Sequence, residues 1–290
     1  MENLHNYIVA GHKFGICLPE GMSAQHLLKP YEPFAVDDGQ QVLFTLRLEM
    51  VDNLRTVASE KVLKCLNDEP PYFWIFEEED GSYSFGFSYT KARPDCILKV
   101  LPASDESVVY VTKDGAEKLA EFAISNAVML LYTFYTAPYD TMMVHASVIA
   151  HEGRGYMFLG RSGTGKSTHS RLWLNHIPDT ELLNDDNPVI RVFDSKALVY
   201  GTPCYKNMQV SLKAVVRLSQ APYNKIARLA PLQAFASLMP ACSCKRWDNE
   251  AMSSLHKSVE KTITMVPCYH LECLPDEEAA RVCYNAVLAE

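Results

Sequence analysis

Residues 160–168 read GRSGTGKST, and no other stretch limits so narrowly what this chain can fold into. Gly160, Gly165, Lys166 and Ser167 stand at the positions of the pattern G-x-x-x-x-G-K-[ST], the phosphate loop. Glycines let the backbone wrap closely around a polyphosphate, so that successive N–H groups point inward as an anion nest. Lys166 is then expected to reach the β- and γ-phosphates of a nucleotide, and the Ser167 hydroxyl to ligate a magnesium ion. The flanks agree with the loop. Residues 156–159 (YMFL) predict a short buried strand entering it. Residues 168–175, anchored by Leu172 and Trp173, predict a helix leaving it, with its positive end toward the phosphates. The whole segment Gly160, Arg161, Ser162, Gly163, Thr164, Gly165, Lys166, Ser167 and Thr168 is therefore the expected nucleotide-binding loop, for ATP or another nucleoside triphosphate. A chance glycine-rich turn would account for the glycines but not for both flanks.

Composition narrows the class. A chain of 290 residues with 48% hydrophobic and 21% charged residues reads as a globular protein of one large domain or two smaller ones. Its formal net charge of −8 argues against a broad electrostatic hold on nucleic acid or an anionic membrane. Residues 1–18 lack a basic start followed by an apolar run, and residues 123–135 are too short and too polar to span a bilayer. The nine cysteines are scattered, with only Cys242 and Cys244 close, which is neither zinc nor redox spacing. They read as reduced thiols filling core, and the expected location is the cytoplasm.

Residues 1–112 are expected to form a β-rich N-terminal region. Residues 42–51 alternate with period two, and residues 72–76 and 82–89 flank Asp80-Gly81, a hairpin signal. Strands over 96–101 and 108–112 complete an antiparallel meander. The stripe Tyr83, Phe85, Phe87 and Tyr89 reads as core rather than as a ligand platform. Residues 113–136 then change to helical period, with Pro138 beyond the end, and stand at the junction with a catalytic domain over 113–290. In that half, strands are expected over 142–149, with His145 in mid-strand, and over 156–159, 182–185, 189–192, 198–202, 212–218 and 269–274. Helices are expected over 250–266 and 276–288. The mixture predicts an α/β (α+β) fold layered around a central sheet.

Asp185 and Asp186 end an apolar run downstream of the loop, where nucleotide enzymes place the metal-bridging carboxylate. Two adjacent carboxylates can divide the labour, one bridging to the metal while the other takes a proton from an attacking hydroxyl. His145 lies 15 residues before Gly160. If its strand and the loop strand form an antiparallel hairpin, the imidazole sits near the loop end of the sheet, able to ligate a metal or to bond a carboxylate. A lone histidine in an apolar strand is more often a satisfied core residue.

These residues resemble a family. VHASVIAHEGRGYMFLGRSGTGKSTHS at 144–170, with LLNDDNPVI at 182–190, is similar to the HPr kinase/phosphorylase and ATP-dependent phosphoenolpyruvate carboxykinase superfamily. The likeness covers residues 142–220, weakens toward the C-terminus and leaves the first 112 residues unmatched. It implies that His145 is an active-site histidine, Lys166 the phosphate lysine, Ser167 the magnesium ligand, Asp185 the catalytic base and Asp186 the metal-associated acid. Departures favour the kinase branch. The carboxykinases are far longer and carry upstream substrate-binding arginine and lysine with no counterpart here. Their loop, however, is closer to Gly163-Thr-Gly-Lys-Ser-Thr168 than the kinase loop, which has glutamate where Thr168 stands. The docking segment of HPr kinases has no visible counterpart in residues 218–290. Tyr200-Gly-Thr-Pro203 with Lys206-Asn207 resembles a loop of short members of the family, and is equally a plain turn.

The expectation is therefore an ATP-dependent kinase using magnesium (or manganese), with a hydroxyl acceptor on a small molecule, peptide or protein. No nucleic-acid or membrane partner is expected, and self-association into a homo-oligomer is left open. Its alternatives are a carboxykinase-like enzyme and a nucleotide-binding regulatory protein without catalysis. Phosphate-loop chemistry leaves the base preference unread.

Overall fold

Eight strands of the N-terminal half make one sheet, and nine strands of the C-terminal half make another. The structure is a computed structural model that describes residues 3–37, 39–57, 59, 61–66, 70–101 and 104–288. By contacts the chain divides into two compact units, Met1–Tyr135 and Thr136–Glu290. The helix expected at the head of the second domain counts with the first unit.

In the first unit, β1 (Asn3–Val9) and β2 (His12–Leu18) form a hairpin that the sequence reading did not assign. A short helix α1 (Ala24–Leu27) leads on to β3 (Phe44–Val51), which lies parallel to β2. Then β4 (Val62–Leu66), β5 (Tyr72–Glu77), β6 (Tyr83–Ser88), β7 (Cys96–Val100) and β8 (Glu106–Thr112) follow. From β4 to β8 each strand pairs antiparallel with the next. The expected meander is present, and β8 closes in parallel onto β3. Helix α2 (Ala116–Thr136) lies within this unit. Its Tyr132 hydroxyl donates to the Val9 carbonyl at 2.8 Å, and Phe134 meets Phe85 edge-on. Phe85 and Phe87 are buried, so the aromatic stripe is core at its centre.

In the second unit the strands are β9 (Thr141–Met143), β10 (Ala146–His151), β11 (Arg154–Leu159), β12 (Thr180–Asn184), β13 (Val189–Val192), β14 (Ala197–Tyr200), β15 (Gln209–Gln220), β16 (Lys225–Arg228) and β17 (Cys268–Cys273). They take the order β12-β10-β11-β15, after which the long β15 is shared. Its first half pairs with β14, and from there to β13 and β9; its second half pairs in parallel with β17, whose other edge holds β16. Period-two alternation sets the two faces. Met157, Leu159 and Val215 pack on one side with Ala234 and Leu238 of α4 (Pro231–Leu238) and Leu255 and Val259 of α5 (Asn249–Met265). Tyr156, Phe158, Val216 and Leu218 face the other way, against Trp173 and Ile177, the first on α3 (Lys166–His176), and Ala280 and Cys283 of α6 (Glu277–Leu288). The unit is a mixed α/β layering with helices on both faces of a central sheet. The nine cysteines are free thiols, five of them buried. Among the described residues no helix is long and apolar enough to cross a membrane.

One expected strand is divided. Residues 142–149 are not a single strand: β9 ends at Met143, Val144 makes an isolated bridge to Cys242, and β10 begins at Ala146. The reason is that β9 pairs with β13 whereas β10 pairs with β11 and β12, so the chain crosses between two parts of the sheet. His145 stands in the break, exposed, its N–H bonded to the Ala241 carbonyl at 2.8 Å instead of to a ladder partner.

Candidate active site at the glycine loop

Strand β11 runs into the loop Gly160–Gly165, and α3 begins at Lys166. Gly165 caps the helix at φ +111°, a conformation that L side chains rarely adopt. Arg161, Ser162 and Gly163 are exposed, while Thr164, Gly165, Lys166, Ser167 and Thr168 are half-buried. The loop's first helical turn has no acidic residue to satisfy its amide ends. An anion is the natural complement of such a terminus.

Strand register brings the other groups to this end. Ala146 pairs with Leu159, so His145 faces the start of the loop, and β12 runs antiparallel to β10 with Asn184 opposite Val148. The Asp185-Asp186 pair follows directly, tied down by the Ala146 N–H donating to the Asp186 carbonyl at 2.9 Å. Lys166 Nζ donates to the Gly160 carbonyl at 3.0 Å and lies 3.0 Å from His145 Nε2. An ammonium has only protons to give, so Nε2 is the acceptor and the imidazole proton sits on Nδ1. That nitrogen lies 3.4 Å from Asp186 Oδ1. The result is a row of polar groups, Lys166 hydrogen-bonded to His145 and His145 within ion-pair distance of Asp186. Burial lowers the Lys166 pKa, opposed by the charges of Asp186 and Asp185.

The imidazole therefore stands against Asp186 rather than against the expected base, Asp185. Asp185 is the more buried of the pair, and its Oδ1 is shut off from solvent with no hydrogen-bond partner among the described residues. A buried acceptor left open is uncommon and calls for a donor or a cation.

A second loop fixes the aspartates from the far side. Asn184, wholly buried, accepts from the Asp186 N–H at 2.9 Å and donates to Thr202 Oγ1 at 2.7 Å. Thr202 in turn donates to the Asn187 carbonyl at 3.2 Å. Tyr205 bonds the Asp185 backbone; burial, then the negative charges of Asp186 and Asp185, raise its phenol pKa. The loop holds its course because Gly201 approaches Lys206, where a Cβ would lie 1.9 Å from the Lys206 carbonyl oxygen. Backbone cannot yield that far. Gly201→Ala is expected to cost about 2–3 kcal/mol through overpacking, a fall in Tm of roughly 5–10 °C for a domain of this size. An unchanged melting temperature would mean the loop is free to move.

Behind the glycine loop, His169 is buried with its Nε2 accepting from Trp173 Nε1 at 3.1 Å. Burial pushes its pKa down to about 4. The unfolded chain, with a histidine pKa near 6.5, then binds more protons than the folded one between those values. Stability must rise with pH across that window, and is lost as pH falls from about 6.5 toward 4, by up to about 3 kcal/mol. Melting temperature against pH checks this: the His169→Gln variant, which keeps an acceptor for Trp173, should lose less on acidification than the wild type. Equal slopes would place the titration elsewhere.

Lys166, His145, Asp185 and Asp186 are thus gathered at one end of the sheet. Asn184 and Tyr205, which brace the pair together with Thr202 and Gly201, carry no expected role from the sequence, whereas Gly201 and Thr202 belong to the loop that resembles one in short members of the family. An Asn directly before the Asp pair, and a Gly-Thr-Pro loop after it, were the available signals. Among the described residues no group of three or more His, Cys, Asp or Glu side chains forms a metal cage. The donors at the loop, the half-buried Ser167 hydroxyl and the exposed Asp186 carboxylate, are hard oxygens, which suit magnesium completed by phosphate and water rather than an all-protein site.

No family model matches the sequence, and no curated protein matches it. Among solved structures, the Hpr(Ser) kinase/phosphatase from Coxiella burnetii is similar at a TM-score of 0.31 and 10% sequence identity, over 51% of this chain and 97% of that one. At those values the relationship is a distant structural one, and the chemistry rests on this chain's own residues.

Proposed function

We propose that the chain is an ATP- and magnesium-dependent phosphotransferase of the HPr-kinase-like kind, acting on a hydroxyl of a small molecule, peptide or protein. The observation that carries this reading is the Lys166–His145–Asp186 row at the mouth of the glycine loop, beside the open Oδ1 of Asp185. A protein that only binds nucleotide needs the loop, but neither an imidazole between lysine and carboxylate nor a second, half-buried carboxylate.

The residues take the following parts. The loop amides and Lys166 hold the polyphosphate, Lys166 exchanging its bond to the Gly160 carbonyl for a phosphate oxygen. Ser167 and Asp186 would hold magnesium, which would supply charge neutralisation at the phosphates. His145, its Nδ1 within ion-pair distance of Asp186, keeps that carboxylate turned toward the loop. Asp185 takes the proton of the acceptor hydroxyl as its oxygen bonds to the γ-phosphorus, and the bond from that phosphorus to the bridging oxygen breaks, leaving ADP with the electron pair. Thr202 and Tyr205 keep Asp185 and Asp186 in place from behind.

The test is label transfer from γ-labelled ATP to free serine, other hydroxyl metabolites, peptides and a cell lysate, with and without magnesium. Magnesium-dependent label on an acceptor supports the reading. Nucleotide binding with no transfer to any of them would leave a binding protein instead.

A further inference from the structure

A cavity of about 550 Å³ opens on the side of the glycine loop away from the aspartates, with Gly163, Thr164 and Gly165 as one wall. Its position follows from topology. Strands β11, β15 and β17 are parallel neighbours, so the loop after β11, the end of β15 at Gln220 and the end of β17 at Cys273 lie at one edge. Crevices outside the carboxyl ends of parallel strands are where such sheets take ligands. Leu172 of α3, Leu218 of β15, and Leu274 and Pro275 after β17 make its remaining walls largely apolar. The volume suits a small organic ring system.

Gln220 supplies the specific polar group. Its Nε2 donates to the Gly163 carbonyl at 3.3 Å and to the Thr164 carbonyl at 3.5 Å. Two carbonyl acceptors fix which end of the amide faces the loop, so Oε1 turns away from it, an acceptor with no partner among the described residues. The same residue therefore braces the phosphate-binding backbone and presents one acceptor at the cavity.

Resting on the phosphotransferase reading above, we infer that this cavity takes the adenine ring of the nucleotide, and that Gln220 Oε1 accepts from its exocyclic amine. The loop would hold the phosphates, and the shared wall leads from them into the cavity. Apolar walls suit the faces of a purine, and a lone acceptor selects a ring carrying an amine over the same ring carrying an oxo group. Hypoxanthine, which has oxygen in place of the adenine amine, would set two acceptors against each other.

Calorimetry on the full chain with magnesium, using ATP, ITP and inorganic tripolyphosphate, tests the inference. ATP is expected to bind at least tenfold more tightly than tripolyphosphate, and roughly three- to tenfold more tightly than ITP, the worth of one partly exposed hydrogen bond. Leu274→Asp should weaken ATP more than tripolyphosphate, since Leu274 lines the cavity and lies outside the glycine loop. Gln220→Ala should erase the preference for ATP over ITP; an effect exerted through the loop alone would instead weaken all three ligands together. Equal affinity for ATP and tripolyphosphate, or an ATP affinity indifferent to Leu274→Asp, overturns the base cavity and spares the loop. Equal affinity for ATP and ITP overturns the part given to Gln220. A chain that binds none of the three loses the phosphotransferase reading, and this inference with it.

Discussion

Lys166→Ala is expected to remove nearly all turnover and to weaken ATP binding while leaving the fold intact. Among the described residues its Nζ bonds only the Gly160 and Arg161 carbonyls and His145, all at the loop, and it is a half-buried rather than a core side chain. A preorganised positive charge aimed at transferring phosphate contributes roughly a hundred- to a thousandfold to the rate by analogy with other charge-stabilising donors. In this chain the loss goes further, because the lysine also fixes the histidine tautomer. Without it, Nε2 can carry the proton, and the Nδ1–H no longer faces Asp186 at 3.4 Å. The magnesium requirement of any residual activity should therefore rise as well. Calorimetry, circular dichroism and turnover measured together check this; full activity with unchanged ATP affinity would remove the loop from the mechanism.

Asp185→Asn separates base from ligand. The amide keeps the shape of the side chain and cannot take a proton, so turnover should fall by roughly two to four orders of magnitude with nucleotide binding preserved. Asp186→Asn should behave differently. It removes the charge that His145 Nδ1 faces and weakens a magnesium ligand together, so its deficit should be partly recovered at high magnesium. If Asp186→Asn lost turnover irrecoverably and Asp185→Asn lost none, the two roles would be exchanged, and the carboxylate held by the imidazole would be the base.

What the sequence made legible was local. The strand into Gly160 and the helix from Lys166 followed from glycine spacing and two apolar flanks, and α2 followed from its helical period. The hairpin joining β5 and β6 followed from Asp80-Gly81. Partners far apart in the chain were not legible. Nothing in residues 3–18 announces that β2 will lie parallel to β3, nor anything in β8 that it returns to β3. His145 shows the limit most clearly. Its neighbours on both sides are buried, so a continuous strand and a strand broken at that residue have nearly the same apolar pattern. Only the change of pairing partner, from β13 to β11 and β12, turns the imidazole out of the core. The same holds for Thr202, which meets Asn184 across 18 residues, and for Gln220, which meets the loop across 57. Period and motif report an element and its faces; the bracing of the aspartates depends on tertiary neighbours that neither encodes.

The most direct measurement is the fate of the γ-phosphoryl group in water enriched in oxygen-18. The chain is incubated with magnesium and ATP, with and without the acceptor mixture, and phosphorus-containing products are read by mass spectrometry. A phosphotransferase with Asp185 as base places the phosphoryl group on an organic hydroxyl, with no heavy oxygen in the product, and Asp185→Asn suppresses that product. Phosphate recovered only as the free anion carrying one heavy oxygen, or ATP recovered unchanged under every condition, would contradict it.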